Sequence, residues 1–155
     1  MKIEILNKDH YKALYEVSKV AEPWQPIQYY QFEDILKKRE GYVLISAIGE
    51  VVGVISFSDY APDLNIIIHC MVHPKYQKRW ASRELLKKIA DYVFGDLGLP
   101  KITSYSIIGL TDEAGGFLDL LGFVREGCIR RGVRVKGEYY DVPLYGMLKE
   151  ECKWR

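Results

Sequence analysis

The 155-residue chain contains only three cysteines, Cys70, Cys128 and Cys152, and no two share a Cys-x-x-Cys spacing. A structural zinc site draws four ligands from closely spaced pairs, so no metal is expected. An odd count without pairing reads as thiols in a reducing cytoplasm rather than as a disulfide framework. Charge of one sign is equally scarce. With 22 Lys+Arg against 21 Asp+Glu the net charge is +1, which argues against a dedicated nucleic-acid binder without excluding one. No apolar run approaches the roughly 20 residues of a membrane-spanning helix. The longest, around Ile66–Ile68, is broken by His69. Met1-Lys2-Ile3-Glu4 has an early acid and no apolar segment behind it, so neither a secretory signal nor a membrane partner is expected. Repeats, linkers and low-complexity stretches are absent as well.

What is present describes a packed domain. Apolar residues make up 48% and aromatics 13%, with twelve tyrosines, a composition that disordered chains do not have. The length fits one domain over 1–155. Alternation predicts a strand over Lys2–Leu6. Helical spacing behind Asp9 predicts a helix, prolines break the stretch Ala21–Tyr30, and a second helix follows over Phe32–Arg39. Tyr42–Ile48 and Val51–Ser58 read as strands joined by a two-residue turn at Gly49-Glu50. Leu64–Val72 reads as a strand covered on both faces. Trp80–Phe94 carries the clearest amphipathic helix, stopped by Gly95 and Gly98. A strand over Lys101–Ile108, a helix over Thr111–Leu121 and a hairpin of Phe123–Val135 with Glu138–Leu148 about Lys136-Gly137 complete the order. The fold class is α/β, a mixed, mostly antiparallel twisted sheet of about seven strands with about four helices.

The join Val72-His73-Pro74-Lys75-Tyr76-Gln77-Lys78-Arg79-Trp80-Ala81-Ser82 stands out. A buried strand ends and a long helix begins within eight residues. The helix's first turn leaves N–H groups without intrahelical acceptors, and the helix dipole adds positive potential there. Phosphate groups bind well at such a terminus. Lys75, Lys78 and Arg79 either strengthen an anion site or are solvated charges beside an ordinary helix.

These residues carry a resemblance. Gln77-x-x-Trp80-x-Ser82 occupies the positions of the Gln/Arg-x-x-Gly-x-Gly/Ala acetyl-CoA motif of the Gcn5-related N-acetyltransferase superfamily. Trp80 replaces the first glycine and Ser82 the second small residue. The run Trp80-Ala81-Ser82-Arg83-Glu84 is similar to a variant of phage-encoded members. Thr111 to Phe123 resembles the Asn-x-x-Ser-(x)7-Gly-Phe segment of the ribosomal-protein N-terminal acetyltransferase group. Thr111 stands for the Asn, Ala114 for the Ser, and Leu121-Gly122-Phe123 matches outright. Arg125-Glu126-Gly127, Gly137–Asp141 and Leu144–Leu148 are similar to that group's closing hairpin. The resemblance spans residues 42–149.

It implies transfer of an acetyl group from acetyl-CoA to an amine, with acetyl-CoA as cosubstrate and the amine on a protein or a small molecule. It places the main chain of Cys70, Met71 and Val72 at the thioester, and Gln77, Lys78, Arg79, Trp80, Ala81, Ser82 and Thr111 at the cofactor. The residues themselves offer His69 as the base, since it alone on its strand titrates near neutrality, or as a core histidine bonded to a carbonyl. The family's usual tyrosine acid is missing, because its position is Leu118. Tyr105 is the alternative catalytic acid, or a packing residue. Trp24, Tyr29 and Tyr30 offer aromatic faces to a substrate or a core. Arg130, Arg131, Arg134 and Lys136 make the terminal hairpin basic, which suits an acidic partner. A monomer or a homodimer fits equally. The rival readings are an acyl-CoA-binding module without turnover and an acyltransferase acting on nucleic acid.

Overall fold

A computed structural model describes residues 1–77, 79–107, 110 and 117–154. Seven strands join by hydrogen bonds in the order β1-β2-β3-β4-β5-β7-β6: β1 Lys2–Ile5, β2 Glu40–Ile45, β3 Val51–Ala61, β4 Asn65–Val72, β5 Lys101–Tyr105, β6 Val124–Val135 and β7 Glu138–Leu148. The helices are α1 Tyr11–Ala21, α2 Tyr29–Lys37, α3 Arg83–Ala90 and α4 Phe117–Leu120. The β4–β5 pair is parallel, and β1–β2, β2–β3, β5–β7 and β6–β7 are antiparallel. Element order and fold class agree with the pattern in the sequence.

The chain gathers into two compact units, Met1–Asp59 with Ile68–Leu85, and Tyr60–Ile67 with Leu86–Arg155. In the first unit, Tyr11, Leu14, Val17 and Ala21 recur at helical spacing and turn one face of α1 inward. They meet Phe32 and Leu36 of α2, Val43 of β2, Val54 of β3 and Met71 of β4. The local ends differ from the sequence pattern for identifiable reasons. Asp9 does not cap α1: Asn7 Oδ1 accepts the Asp9 N–H at 2.9 Å and caps a 3-10 turn over Lys8–His10 that leads into α1, whose own N-cap, His10, makes no side-chain cap bond. α2 starts three residues early, since Gln31 Oε1 takes the Gln28 N–H at 2.8 Å and stabilises that first turn. The β2–β3 connection is longer than a two-residue turn. Ser46 Oγ accepts the Glu50 N–H at 3.2 Å, Gly49 takes φ +84°, and β2 ends at Ile45.

In the second unit, Ile66 and Ile67 of β4 pair with Ile102 and Thr103. Lys136 and Gly137 both have positive φ, +50° and +83°, the conformation of a type I′ turn, so the terminal hairpin closes where the sequence places it. α3 continues into a π-helical turn over Asp91–Asp96, where Leu97 N–H reaches Tyr92 O five residues back. Gly98 at φ +63° then stops the chain, in place of the paired glycine stop read from the sequence. The helix expected over Thr111–Leu121 is described from Phe117; residues 111–116 lie outside the described part. Trp154 anchors the end of the chain, donating Nε1–H to Leu121 O at 2.9 Å and meeting the Phe123 ring at a tilt of 59°. No helix among the described residues is long and apolar enough to cross a membrane.

Candidate active site

The end of β4 is drawn tightly against β3. A Cβ built on Gly53 would stand 2.7 Å from Met71 O and 3.0 Å from Val72 Cα, so only glycine permits this approach. His73 N–H donates to Val52 O at 2.8 Å and extends the same contact. Met71 and Val72 are buried. Cys70 keeps accessible area although protein atoms crowd its sulfur, and that desolvation pushes the thiol up to about 12. At neutral pH it is a thiol and a poor nucleophile. What Cys70–Val72 can bring to chemistry is therefore main-chain polarity.

Past β4 the chain makes a 3-10 turn over Pro74–Tyr76, capped by His73, whose Nδ1 accepts the Lys75 N–H at 3.1 Å. Lys75, Gln77 and Arg79 are exposed around this turn, and Lys78 lies outside the described residues. Trp80 is only 4% exposed. The indole is turned into the protein, so the substitution for glycine fills a core position. Ser82 N–H bonds back to Trp80 O at 2.8 Å, and Ser82 Oγ accepts the Leu85 N–H at 3.2 Å. Ser82 is thus the cap of α3, which begins at Arg83 rather than at Trp80. A capped helix start beside exposed cations is suited to a phosphate-bearing ligand.

His69 shares its face of β4 with Met71, the face packed against α1 and α2. Its Nε2 lies 2.6 Å from Ser58 Oγ, whose proton goes to Asp59 Oδ2 at 2.7 Å. Burial lowers the imidazole to about 4, the Arg39 guanidinium adds to that effect, and the Asp59 carboxylate opposes it. His69 is therefore neutral at physiological pH and a weaker base than its residue type suggests. Arg39 donates Nη1–H to Ser56 Oγ at 3.3 Å. Beside it, burial raises the Glu22 carboxyl, with Arg39 pulling the other way. None of Glu22, Arg39, Ser56, Ser58 and Asp59 is conspicuous in the sequence. The pairing of β3 with β4 is the only signal that could have brought Ser58 to His69.

The remaining residues expected at the site fall in several places. Tyr105 is exposed at the end of β5, opposite Leu144. Thr111 lies outside the described residues. Trp24 is half-buried. Tyr29 packs edge-on against Tyr15 at 5.4 Å and bonds Glu33, whereas Tyr30 is 66% exposed. Of the three aromatics only Tyr30 presents an open face. Ala81 is half-buried in the turn before α3. Among the described residues no three His, Cys, Asp or Glu side chains gather as a metal site.

A model of the acetyltransferase (GNAT) family matches residues 4–123. Two proteins of Bacillus subtilis (strain 168) are similar in sequence. The uncharacterised N-acetyltransferase YokL, derived from prophage SPbeta, is 24% identical over 121 residues, which cover 77% of this chain and 68% of that one. The uncharacterised N-acetyltransferase YoaA is 28% identical over 102 residues, covering 64% and 56%. Among solved structures, a variant of the spermidine N-acetyltransferase SpeG from Vibrio cholerae superposes with a TM-score of 0.79 at 16% identity, covering 97% of this chain and 96% of that one. The Vibrio cholerae enzyme in complex with CoA and spermine gives 0.78, also at 16% identity, with the same coverage of both chains.

Proposed function

The chain belongs to the acetyltransferase (GNAT) family and is an acetyl-CoA-dependent N-acetyltransferase, and from that premise we propose how its residues divide the work and which amine they serve. The observation that carries the reading is the strand–turn–helix at Val72–Arg83, with exposed Lys75, Gln77 and Arg79 beside the Ser82 cap. Gln77, Arg79, the N–H groups of Trp80 and Ala81 and the Ser82 hydroxyl hold the phosphates of acetyl-CoA, with Lys78 and Thr111 completing the set. The main chain of Cys70, Met71 and Val72 holds the pantetheine arm and polarises the thioester carbonyl.

The acceptor must shed a proton, because an alkylamine of pKa about 10.4 is almost wholly charged near neutrality. That first proton goes to solvent, and His69 is the base we assign for the second, which the nitrogen releases once it is bound to the thioester carbon. Tyr105 supplies a hydroxyl to the departing sulfur. A thiolate is a good enough leaving group that this donor assists rather than decides the reaction. Both substrates bind together, and the amine attacks the thioester directly.

A protein N-terminus or lysine is the acceptor we favour, on the likeness of the closing hairpin to the ribosomal-protein group, with the open face of Tyr30 flanking its entry. A small polyamine is the second reading, favoured by the fold's likeness to a structure bound to CoA and spermine. A panel separates them: a peptide with a free N-terminus, an N-blocked peptide bearing lysine, and spermidine, each with acetyl-CoA, scored by acetylated product. Faster transfer to a peptide supports the first reading. Preference for spermidine supports the second, and no product with any amine contradicts both.

A further inference from the structure

Ser58 Oγ stands between two partners and has one proton to give. Asp59 Oδ2, 2.7 Å away, is a carboxylate oxygen that only accepts. His69 Nε2, 2.6 Å away on the other side, must then be the donor, since the hydroxyl proton is already engaged. The direction of the chain is therefore fixed: His69 Nε2–H to Ser58 Oγ, Ser58 O–H to Asp59. A neutral imidazole protonated at Nε2 carries its basic lone pair on Nδ1. The backbone at Asp59 is shaped for this contact. Its φ is +54°, left-handed near the end of β3, a conformation that aspartate tolerates better than most residues.

We propose that Ser58 and Asp59 are positioning residues, which lock His69 as the Nε2–H tautomer and make Nδ1 the atom that takes the acceptor's proton. This rests on the assignment of acetyl transfer with His69 as base, and it names residues that assignment does not contain. The proton balance closes once the ammonium has given its first proton to solvent and attacks as the free amine. The acceptor nitrogen bonds to the thioester carbon, the C–S bond breaks, and the sulfur leaves with its electron pair. The nitrogen's extra proton passes to Nδ1, and afterwards to the thiolate or to solvent, so that His69 returns neutral. A weak base suffices, because that nitrogen becomes far more acidic once its lone pair is shared with carbon. The charges facing the ring oppose one another: Arg39, ahead of β2, disfavours the imidazolium, and Asp59, acting from β3 through the Ser58 hydroxyl, favours it. Glu22, just past α1, also lies within the field of Arg39, though burial outweighs that charge and raises its carboxyl.

The test is nitrogen-15 NMR of the full chain with labelled histidine, using His69→Gln to assign its signal apart from those of His10 and His73. The wild type should show Nε2 protonated at neutral pH and a titration midpoint near 4. Arg39→Gln should move that midpoint up, and Asp59→Asn should move it down. Ser58→Ala should release the tautomer and lower kcat at least about tenfold, within the 10²–10⁴-fold reach of general-base catalysis, with KM for acetyl-CoA unchanged. Ser58→Thr, which restores the hydroxyl, should recover both tautomer and rate. An Nδ1–H tautomer in the wild type, or a Ser58→Ala variant with wild-type tautomer and kcat, would overturn the proposal and leave acetyl transfer standing. Full activity of His69→Gln would remove the base assignment and the proposal together. Failure of the wild type to acetylate any amine would show in the acceptor panel and overturn both at their shared premise.

Discussion

Replacing Trp80 by glycine should lower the unfolding free energy by about 3–5 kcal/mol, the range for emptying a buried tryptophan site. The indole is 4% exposed, and in a close-packed interior glycine would leave most of its volume empty. Against a total stability of roughly 5–15 kcal/mol, the loss would be a large part of what holds the domain together. Urea unfolding followed by tryptophan-independent circular dichroism measures it. Glycine is the residue of the motif that this loop resembles, so the same variant tests what the tryptophan does to the cofactor loop. Because the indole faces inward, acetyl-CoA affinity should not improve. A variant within about 1 kcal/mol of wild type that binds acetyl-CoA more tightly would show instead that Trp80 obstructs the loop.

Arg79→Glu should weaken acetyl-CoA binding by about tenfold or more, the worth of one charge-assisted hydrogen bond to a phosphate. Free CoA should weaken in parallel, because the two ligands share every phosphate. The binding constant of the variant should also depend less on salt, since one cation fewer is there to be screened. Stability should change little, because Arg79 is exposed. Isothermal titration at two ionic strengths reads all of this. An unchanged dissociation constant for Arg79→Glu, and again for Lys78→Glu, would mean that the phosphates lie elsewhere.

The order of elements was legible in the sequence because each carries its own period, and the hairpin turn was legible because Lys136-Gly137 supplies two residues that accept positive φ. The ends were less so. Ser82 lies inside the apolar pattern that begins at Trp80, yet its hydroxyl caps the helix, and the residues before it turn instead of continuing the coil. Asn7 and Asp9 are both capping residues, and only the geometry of the turn chooses between them. Within the site, the turn between β4 and α3 announces itself through contiguous residues. The setting of His69 does not. Its basicity depends first on burial and then on Arg39 and Asp59, thirty and ten positions away, which only the folded chain brings to it. Read alone, His69 looks like a base near neutrality; buried beside a guanidinium, it stays neutral down to about pH 4. Trp80 was ambiguous for a related reason, since no local pattern says whether an aromatic in a loop faces core or ligand.

The central claim is that this chain moves an acetyl group from acetyl-CoA to an amine. The most direct measurement is a single reaction in which released CoA thiol and acetylated acceptor are quantified together, the second by mass spectrometry. The account predicts that the two appear in equal amounts, and that both fall when Arg79 is reversed. Tight binding of acetyl-CoA with neither thiol nor product from any peptide or polyamine acceptor would contradict it, and would mark the domain as one that holds the cofactor without turning it over.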